Sequence, residues 1–229
     1  MSSSPSLPLP TLDVQSSQVI PAADWKPAPG EFLLGVTGHR DPVAADLPIL
    51  EGVVTELLTN IRAKIAENGA RLVVACHLAE GADQICAQAA YRLGIPLVIP
   101  LPMEQTDYEI DFSDGAPLQE FRRILSLARD VILLPTSSAC PEAATAQDRR
   151  NQQYVEAGQF LSIHCPLLLA LWDGRFNNKP GGTGDVVSNH LTMQRPSGMP
   201  GVVYHLLTPR ASNPEPLEAE PYTLRVMTA

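Results

Sequence analysis

The sequence predicts an α/β fold: a three-layer, Rossmann-like sandwich around a mainly parallel central sheet. Three observations predict it. Short apolar runs alternate at least five times with segments of helical spacing. Most of these runs are near-continuous in Val, Ile and Leu, as strands buried on both faces are. Glycine-bearing joints follow several of the runs, at the sheet edge where open α/β folds bind ligands.

Residues 1–30 are rich in Ser and Pro and read as a flexible leader, with one short strand near Val19. The first clear strand is Phe32 to Val36. It breaks into a turn carrying Thr37, Gly38, His39 and Arg40. A helix from about Ala44 to Asn68 follows, with Leu50, Val54, Leu57, Leu58, Ile61 and Ile65 on one face, stopped by Gly69. The second strand, Arg71 to Leu78, leads through Ala79-Glu80-Gly81-Ala82-Asp83 into a helix that ends at Leu93. Pro96 to Leu101 is the third strand, followed by a polar loop with Tyr108 and Asp111, then a helix over Leu118 to Arg129. Val131 to Leu134 is a strand, Pro135 to Thr145 an irregular loop, and Gln147 to His164 a helix. The strand Leu167 to Trp172 precedes a glycine loop, Gly181 to Gly184, and a short helix from Asp185 to Met193. Val202 to Leu207 is the last clear strand. These signals place one domain over 31–209. The tail, 210–229, has several prolines and glutamates and is expected to hold little order, with Tyr222 to Val226 able to add a strand.

The formal net charge of -9 argues against a nucleic-acid backbone as the main partner, because such binding needs a concentrated basic surface. The four cysteines show neither a CxxC pair nor zinc spacing. No signal peptide is visible, and no apolar run reaches the roughly 18 residues of a membrane span. The expectation is a cytoplasmic protein with no membrane partner. The histidines match no metal spacing, so no metal and no cofactor are expected. Standard motifs fail as well. Gly30 and Gly35 frame a P-loop spacing, but Val36 stands where its lysine is needed. Gly182-Thr183-Gly184 opens a dinucleotide fingerprint, but Val187 replaces the third glycine. There is no Gly-x-Ser-x-Gly elbow.

Five joints remain as candidates. The first offers Thr37, Gly38, His39 and Arg40: glycine for close backbone approach to an anion, and arginine as counter-charge. The second offers Glu80, Gly81 and Asp83, and the third Tyr108 and Asp111. The fourth leads to Arg149, Arg150, Tyr154 and Glu156. The fifth holds Trp172 and Gly181, Gly182, Thr183 and Gly184, which together can form a phosphate nest. Each has a structural alternative. His39 can cap a carbonyl, Arg40 can pair with Asp41 or Glu80, Asp83 suits a first helical turn, and Tyr154 and Trp172 can fill the core.

Val36-Thr37-Gly38-His39-Arg40, Ala79-Glu80-Gly81-Ala82-Asp83 and Pro180-Gly181-Gly182-Thr183-Gly184 together resemble the SLOG superfamily. That group links DprA/SMF proteins with the LOG, "lysine decarboxylase-like" phosphoribohydrolases. The resemblance spans about Phe32 to Leu207. It implies a Rossmann-like fold whose glycine-rich loops bind nucleotides or nucleotide-derived small molecules. Some members hydrolyse N-glycosidic bonds, and others are thought to be ligand sensors coupled to an effector protein in bacterial conflict systems. It also implies pairing into homo-oligomers. The LOG enzymes follow their glycine loop closely with a catalytic Glu; here Asp185 follows Gly184 and no Glu is near. Glu156-Ala157-Gly158 is similar to the Glu-x-Gly of nucleoside deoxyribosyltransferases. Glu156 and Asp185 are therefore the catalytic candidates. Three functions stay open: sensing of a nucleotide-derived ligand, hydrolysis of an N-glycosidic bond, and DprA-like binding of single-stranded DNA, which the acidic balance disfavours.

Overall fold

A computed structural model describes residues 19–137, 144–176, 179–195, 198 and 200–228. Its strands are β1 (Val19–Pro21), β2 (Glu31–Gly38), β3 (Arg71–Ala75), β4 (Leu97–Leu101), β5 (Asp130–Leu133), β6 (Leu167–Trp172), β7 (Val202–Leu207) and β8 (Leu224–Thr228). The helices are α1 (Leu47–Glu67), α2 (Ala82–Arg92), α3 (Gln105–Glu109), α4 (Ala116–Leu127), α5 (Ala146–His164) and α6 (Thr183–Thr192). The strands form one sheet of order β1-β5-β4-β3-β2-β6-β7-β8. Every neighbouring pair is parallel except β7–β8. This is the three-layer, Rossmann-like sandwich expected from the alternating runs.

The two-residue period of the strands divides the core. Leu34 and Val36 of β2 and Leu169 and Leu171 of β6 pack with Leu50, Val54 and Leu58 of α1, Ile85 of α2 and Phe121 of α4. Leu33, Leu168 and Ala170 point the other way, onto Ala157 and Leu161 of α5 and Val187 of α6. Each such aliphatic side chain, fully buried, contributes about 1.5–3 kcal/mol. Both faces of β2 and β6 are thus covered, and that is why these strands read as unbroken apolar runs.

Several boundaries differ from expectation. β2 runs on to Gly38, so Thr37 and Gly38 are ladder residues opposite Ala170 and Leu171 rather than a turn. β3 stops at Ala75 because the chain swings away, with Leu78 in the left-handed region at φ 56. The polar segment after β4 folds into α3, a single short helix. α6 starts at Thr183, so Thr183 and Gly184 form its first turn; their low helix propensity hid the start. The loop expected over Pro135 to Thr145 lies partly outside the described residues.

Both flanks also correct the sequence reading. β1 lies in the segment expected to be a flexible leader and pairs with β5. Behind it Trp25 is only 5% exposed, packed on Phe160 and His164. Its indole N–H donates to Asp130 Oδ2 at 3.0 Å. In the tail, β8 pairs with β7 along its whole length. A strand of three residues beside prolines, and an edge strand of alternating exposure, carry little hydrophobic signal.

Candidate functional site

From β2 the chain works outward on one side of the sheet through β3, β4 and β5. It then crosses back, so that β6 lies against the other side of β2. The carboxyl ends of β2 and β6 diverge at this reversal, which is where open α/β sheets form a crevice. A cavity of about 310 Å³ opens there.

The close approach of the joints around this cavity is built from glycines. A Cβ on Gly38 would lie 2.4 Å from Ala82 Cβ and 2.7 Å from the Leu171 oxygen. Gly81 has φ +85, and a Cβ there would lie 2.5 Å from the Arg40 oxygen. The Ala82 N–H donates to the His39 oxygen at 3.0 Å. Gly38 and Gly81 therefore serve backbone packing between β2 and α2. Gly181, at φ +68, meets Tyr154 Cβ at 2.5 Å in the same sense, which seats the loop before α6 on α5.

Of the candidates, Thr37, Gly38, His39, Arg40, Asp83, Tyr154, Trp172, Gly181, Gly182, Thr183 and Gly184 line the cavity. Tyr108, Asp111 and Arg150, named at the third and fourth joints, line it too. Glu80 is not among the lining residues; it accepts from the Ser113 hydroxyl at 3.1 Å and so fixes the neighbouring loop. Gly81 is not among the lining residues either; it packs against the backbone of His39 and Arg40. The two catalytic candidates are not brought to the cavity either. The Glu156 carboxylate takes a hydrogen bond from the Ser137 hydroxyl, on the other side of α5. Asp185 accepts from the Gly181 N–H at 2.9 Å and from the Asn189 amide at 3.3 Å, holding the loop to its helix.

Each charged group has a distinct environment. Arg150 Nε donates to Asp111 Oδ1 at 2.9 Å, and Arg210 Nη2 donates to Asp41 Oδ1 at 2.7 Å. Arg40 has no carboxylate at ion-pair distance among the described residues. Its guanidinium donates to the Asp111 backbone oxygen at 3.1 Å and stands 5.8 Å from the Tyr154 ring centre. His39 Nε2 lies 2.9 Å from the Asp173 backbone nitrogen and 3.2 Å from Asp173 Oδ1. Burial, then the Arg210 charge, hold its pKa below the ordinary value, outweighing Asp173. Asp83 is 4% exposed. Burial pushes its pKa up to about 7, against the pull of the Ala79 N–H and Arg40.

Four buried polar atoms on the cavity lining lack a hydrogen-bonding partner among the described residues: His77 Nε2, Tyr108 Oη, Asp111 Oδ2 and Tyr154 Oη. Buried polar groups are rarely left so, and such clusters mark ligand sites. α6 starts without a side-chain cap, and Gly182, Thr183 and Gly184 at its start line the same cavity. Among the described residues no group of three or more His, Cys, Asp or Glu could hold a metal ion, and no helix is long and apolar enough to cross a membrane.

Sequence reasoning missed His77, Gln147, Asn151, Lys179 and Arg210 as lining residues. His77 falls inside the predicted strand Arg71 to Leu78, whereas β3 ends at Ala75 and leaves His77 at the joint. Arg210 lies in the tail, and the Arg210–Asp41 pair, a bridge to Pro42 and the Ala211 and Ser212 N–H groups on Asp41 bring it back to the site.

No protein-family model and no curated protein matches the chain. Among solved structures it is similar to DNA processing protein A (DprA) from Streptococcus pneumoniae, with 14% identity and a TM-score of 0.47. That match covers 76% of this chain and 50% of the other, so the chain spans half the length of that protein. It is similar to DprA from Helicobacter pylori, whose single-stranded DNA binding mode that structure addresses. There the identity is 13% and the TM-score 0.48, over 94% of this chain and 82% of the other. A third likeness is to the protein TM1055, at 16% identity and a TM-score of 0.39, over 74% and 76% of the two chains. The DprA proteins are of the group that the sequence motifs resemble. These likenesses concern the fold, and the reading of the site rests on its own geometry.

Proposed function

We propose that the cavity binds a nucleotide or nucleotide-derived small molecule, with its phosphate between Arg40 and the first turn of α6. The observation that carries this is what one cavity brings together: Arg40 without a carboxylate partner among the described residues, the uncapped start of α6, and four unpartnered buried polar atoms. A phosphate bound at a helix N-terminus gains from both the N–H groups and the helix dipole. Tyr154, already in contact with Arg40, offers a ring face for a base. The volume of about 310 Å³ is at the small end of ligand sites, which favours one nucleotide unit. Glu156 and Asp185 both serve local structure, and this favours binding over catalysis through either. A sensor of this kind passes its signal to an effector protein, and self-association through the helices beside the site fits the same role.

The test is thermal denaturation with a panel of mono-, di-, cyclic and NAD-derived nucleotides, followed by chromatography of each mixture. A ligand at one hundred times its Kd stabilises by about 2.7 kcal/mol, a rise of roughly 5–10 °C for a chain of this size. Arg40→Ala is expected to weaken binding tenfold or more, since a charge-assisted hydrogen bond is worth about 1.5–3 kcal/mol. Free base or ribose phosphate in the mixtures would overturn the sensor reading in favour of N-glycosidic hydrolysis. Salt-sensitive retention on single-stranded DNA, with no response to nucleotides, would overturn it in favour of DNA binding.

A further inference from the structure

We propose that His77 determines specificity in the cavity: its Nε2 accepts a hydrogen bond from an N–H or O–H group on the inward end of the ligand. This rests on the ligand-binding reading above. The other ring nitrogen sets the tautomer. His77 Nδ1 lies 2.7 Å from the Pro100 oxygen. A carbonyl oxygen only accepts, so Nδ1 carries the proton. Burial holds the ring's pKa below its ordinary value, outweighing the Pro100 and Ala157 carbonyls that favour the charged form. A neutral ring protonated at Nδ1 has a bare lone pair at Nε2.

That lone pair is buried and without a partner among the described residues, on a side chain that lines the cavity. Its neighbours on the lining sharpen the point. Asp111 Oδ2 is a second unpartnered acceptor. The hydroxyls of Tyr108 and Tyr154 can act either way. The lining therefore holds two unpartnered acceptors, and a ligand that satisfies them must bring donors. The turn that follows His77 is strained in keeping with a functional constraint: Leu78 is fully buried and held at φ 56. Two parts of a nucleotide supply such donors, the ribose hydroxyls and the amino or lactam N–H groups of a base.

Calorimetric titration separates them. The probes are guanosine 5′-monophosphate, adenosine 5′-monophosphate, ribose 5-phosphate and inorganic phosphate, against the parent chain, His77→Phe, His77→Gln and Arg40→Ala. His77→Phe is expected to weaken nucleotide binding about tenfold and to leave inorganic phosphate unchanged. His77→Gln, whose side-chain oxygen accepts, recovers part of the loss. If ribose 5-phosphate is weakened as well, the donor is a sugar hydroxyl; if only the nucleotides are, it is on the base. Equal binding of every probe by the parent and a folded His77→Phe variant, with Arg40→Ala still impaired, overturns the role of His77 and leaves the site standing. Failure of every probe on the parent chain overturns both. The tautomer has its own test without ligand: nitrogen NMR of the imidazole rings is expected to show His77 neutral and protonated at Nδ1. A proton on Nε2 at neutral pH would overturn the proposal.

Discussion

Asp83→Asn is expected to change how the stability of this protein depends on pH. Asp83 sits in the first turn of α2, only 4% exposed, among groups that give its charge little support. The Ala79 N–H is at 3.3 Å, and no cation stands at ion-pair distance among the described residues. Its pKa rises from the ordinary 3.8 to about 7 in the folded chain. Below pH 3.8 the carboxyl is protonated in both states, and the site carries no penalty. Between about pH 4 and pH 7 the unfolded chain loses this proton while the folded chain keeps it, so stability falls as pH rises. Above pH 7 the folded chain must hold a buried charge, and the full penalty applies. The gap is about three pH units at about 1.4 kcal/mol each, which sets a ceiling of about 4 kcal/mol. Water reaching the cavity lowers this, so the expected effect is about 2–4 kcal/mol. Asparagine keeps the shape and removes the titration. Urea unfolding of parent and variant at pH 4.5 and pH 8 reads the effect as a double difference, from which any constant cost of the amide cancels. The stability of the variant relative to the parent is expected to rise by about 2–4 kcal/mol between the two pH values. A difference that stays constant within about 1 kcal/mol, or falls with pH, would refute the assignment of Asp83 as a buried carboxyl held neutral.

Two further substitutions test the frame around the site. Gly181→Ala forces a Cβ to 2.5 Å from Tyr154 Cβ at a φ of +68. The left-handed backbone alone costs about 1–2 kcal/mol, so a fall in Tm of at least about 2 °C is expected; an unchanged melting curve would show that the loop does not seat on α5. Trp25→Ala removes a side chain only 5% exposed together with its hydrogen bond to Asp130. A loss of about 3–5 kcal/mol in urea unfolding is expected, and a loss below about 1 kcal/mol would mean that the segment before β2 is not part of the core.

Periodicity made the fold legible because its central strands are buried on both faces. Leu167 to Trp172 reads as a strand in the sequence and is one in the structure, residue for residue. What stayed hidden depends on tertiary placement. β1 is three residues long and exists only through its pairing with β5. The start of α6 was displaced by two residues because Thr183 and Gly184 are poor helix formers that here follow a loop fixed by Asp185. At the site, residue type and joint position brought Arg40, Asp83, Tyr154 and the Gly181–Gly184 loop to one cavity. Side-chain direction was not legible. Glu156 and Gln153 share α5 with Tyr154, yet both turn to Ser137, while Tyr154 turns inward to Arg40. A spacing of two along a helix is enough to separate two faces.

The glycines bear most directly on function. Read in sequence, Gly38 and Gly81 suggest phosphate-binding loops. In the structure each lies where a Cβ would strike a neighbouring element, the Leu171 and Ala82 wall in one case and the Arg40 backbone in the other. Their contribution to binding is indirect: they let β2 and α2 close together, and that closure holds Arg40 beside the cavity. Charge pairing then separates the arginines there. Asp111 occupies Arg150 and Asp41 occupies Arg210, which leaves Arg40 with a backbone oxygen and an aromatic face. Binding a long polyanion needs several unpaired cations along a track, each neutralising a phosphate. Arg40 and Lys179 beside one helix start suit a small phosphorylated group rather than a track of phosphates. A chain of net charge -9 can therefore hold a small phosphorylated ligand in its crevice while its surface as a whole repels polyanions, and this charge arrangement favours the small-molecule reading of the site over the nucleic-acid one.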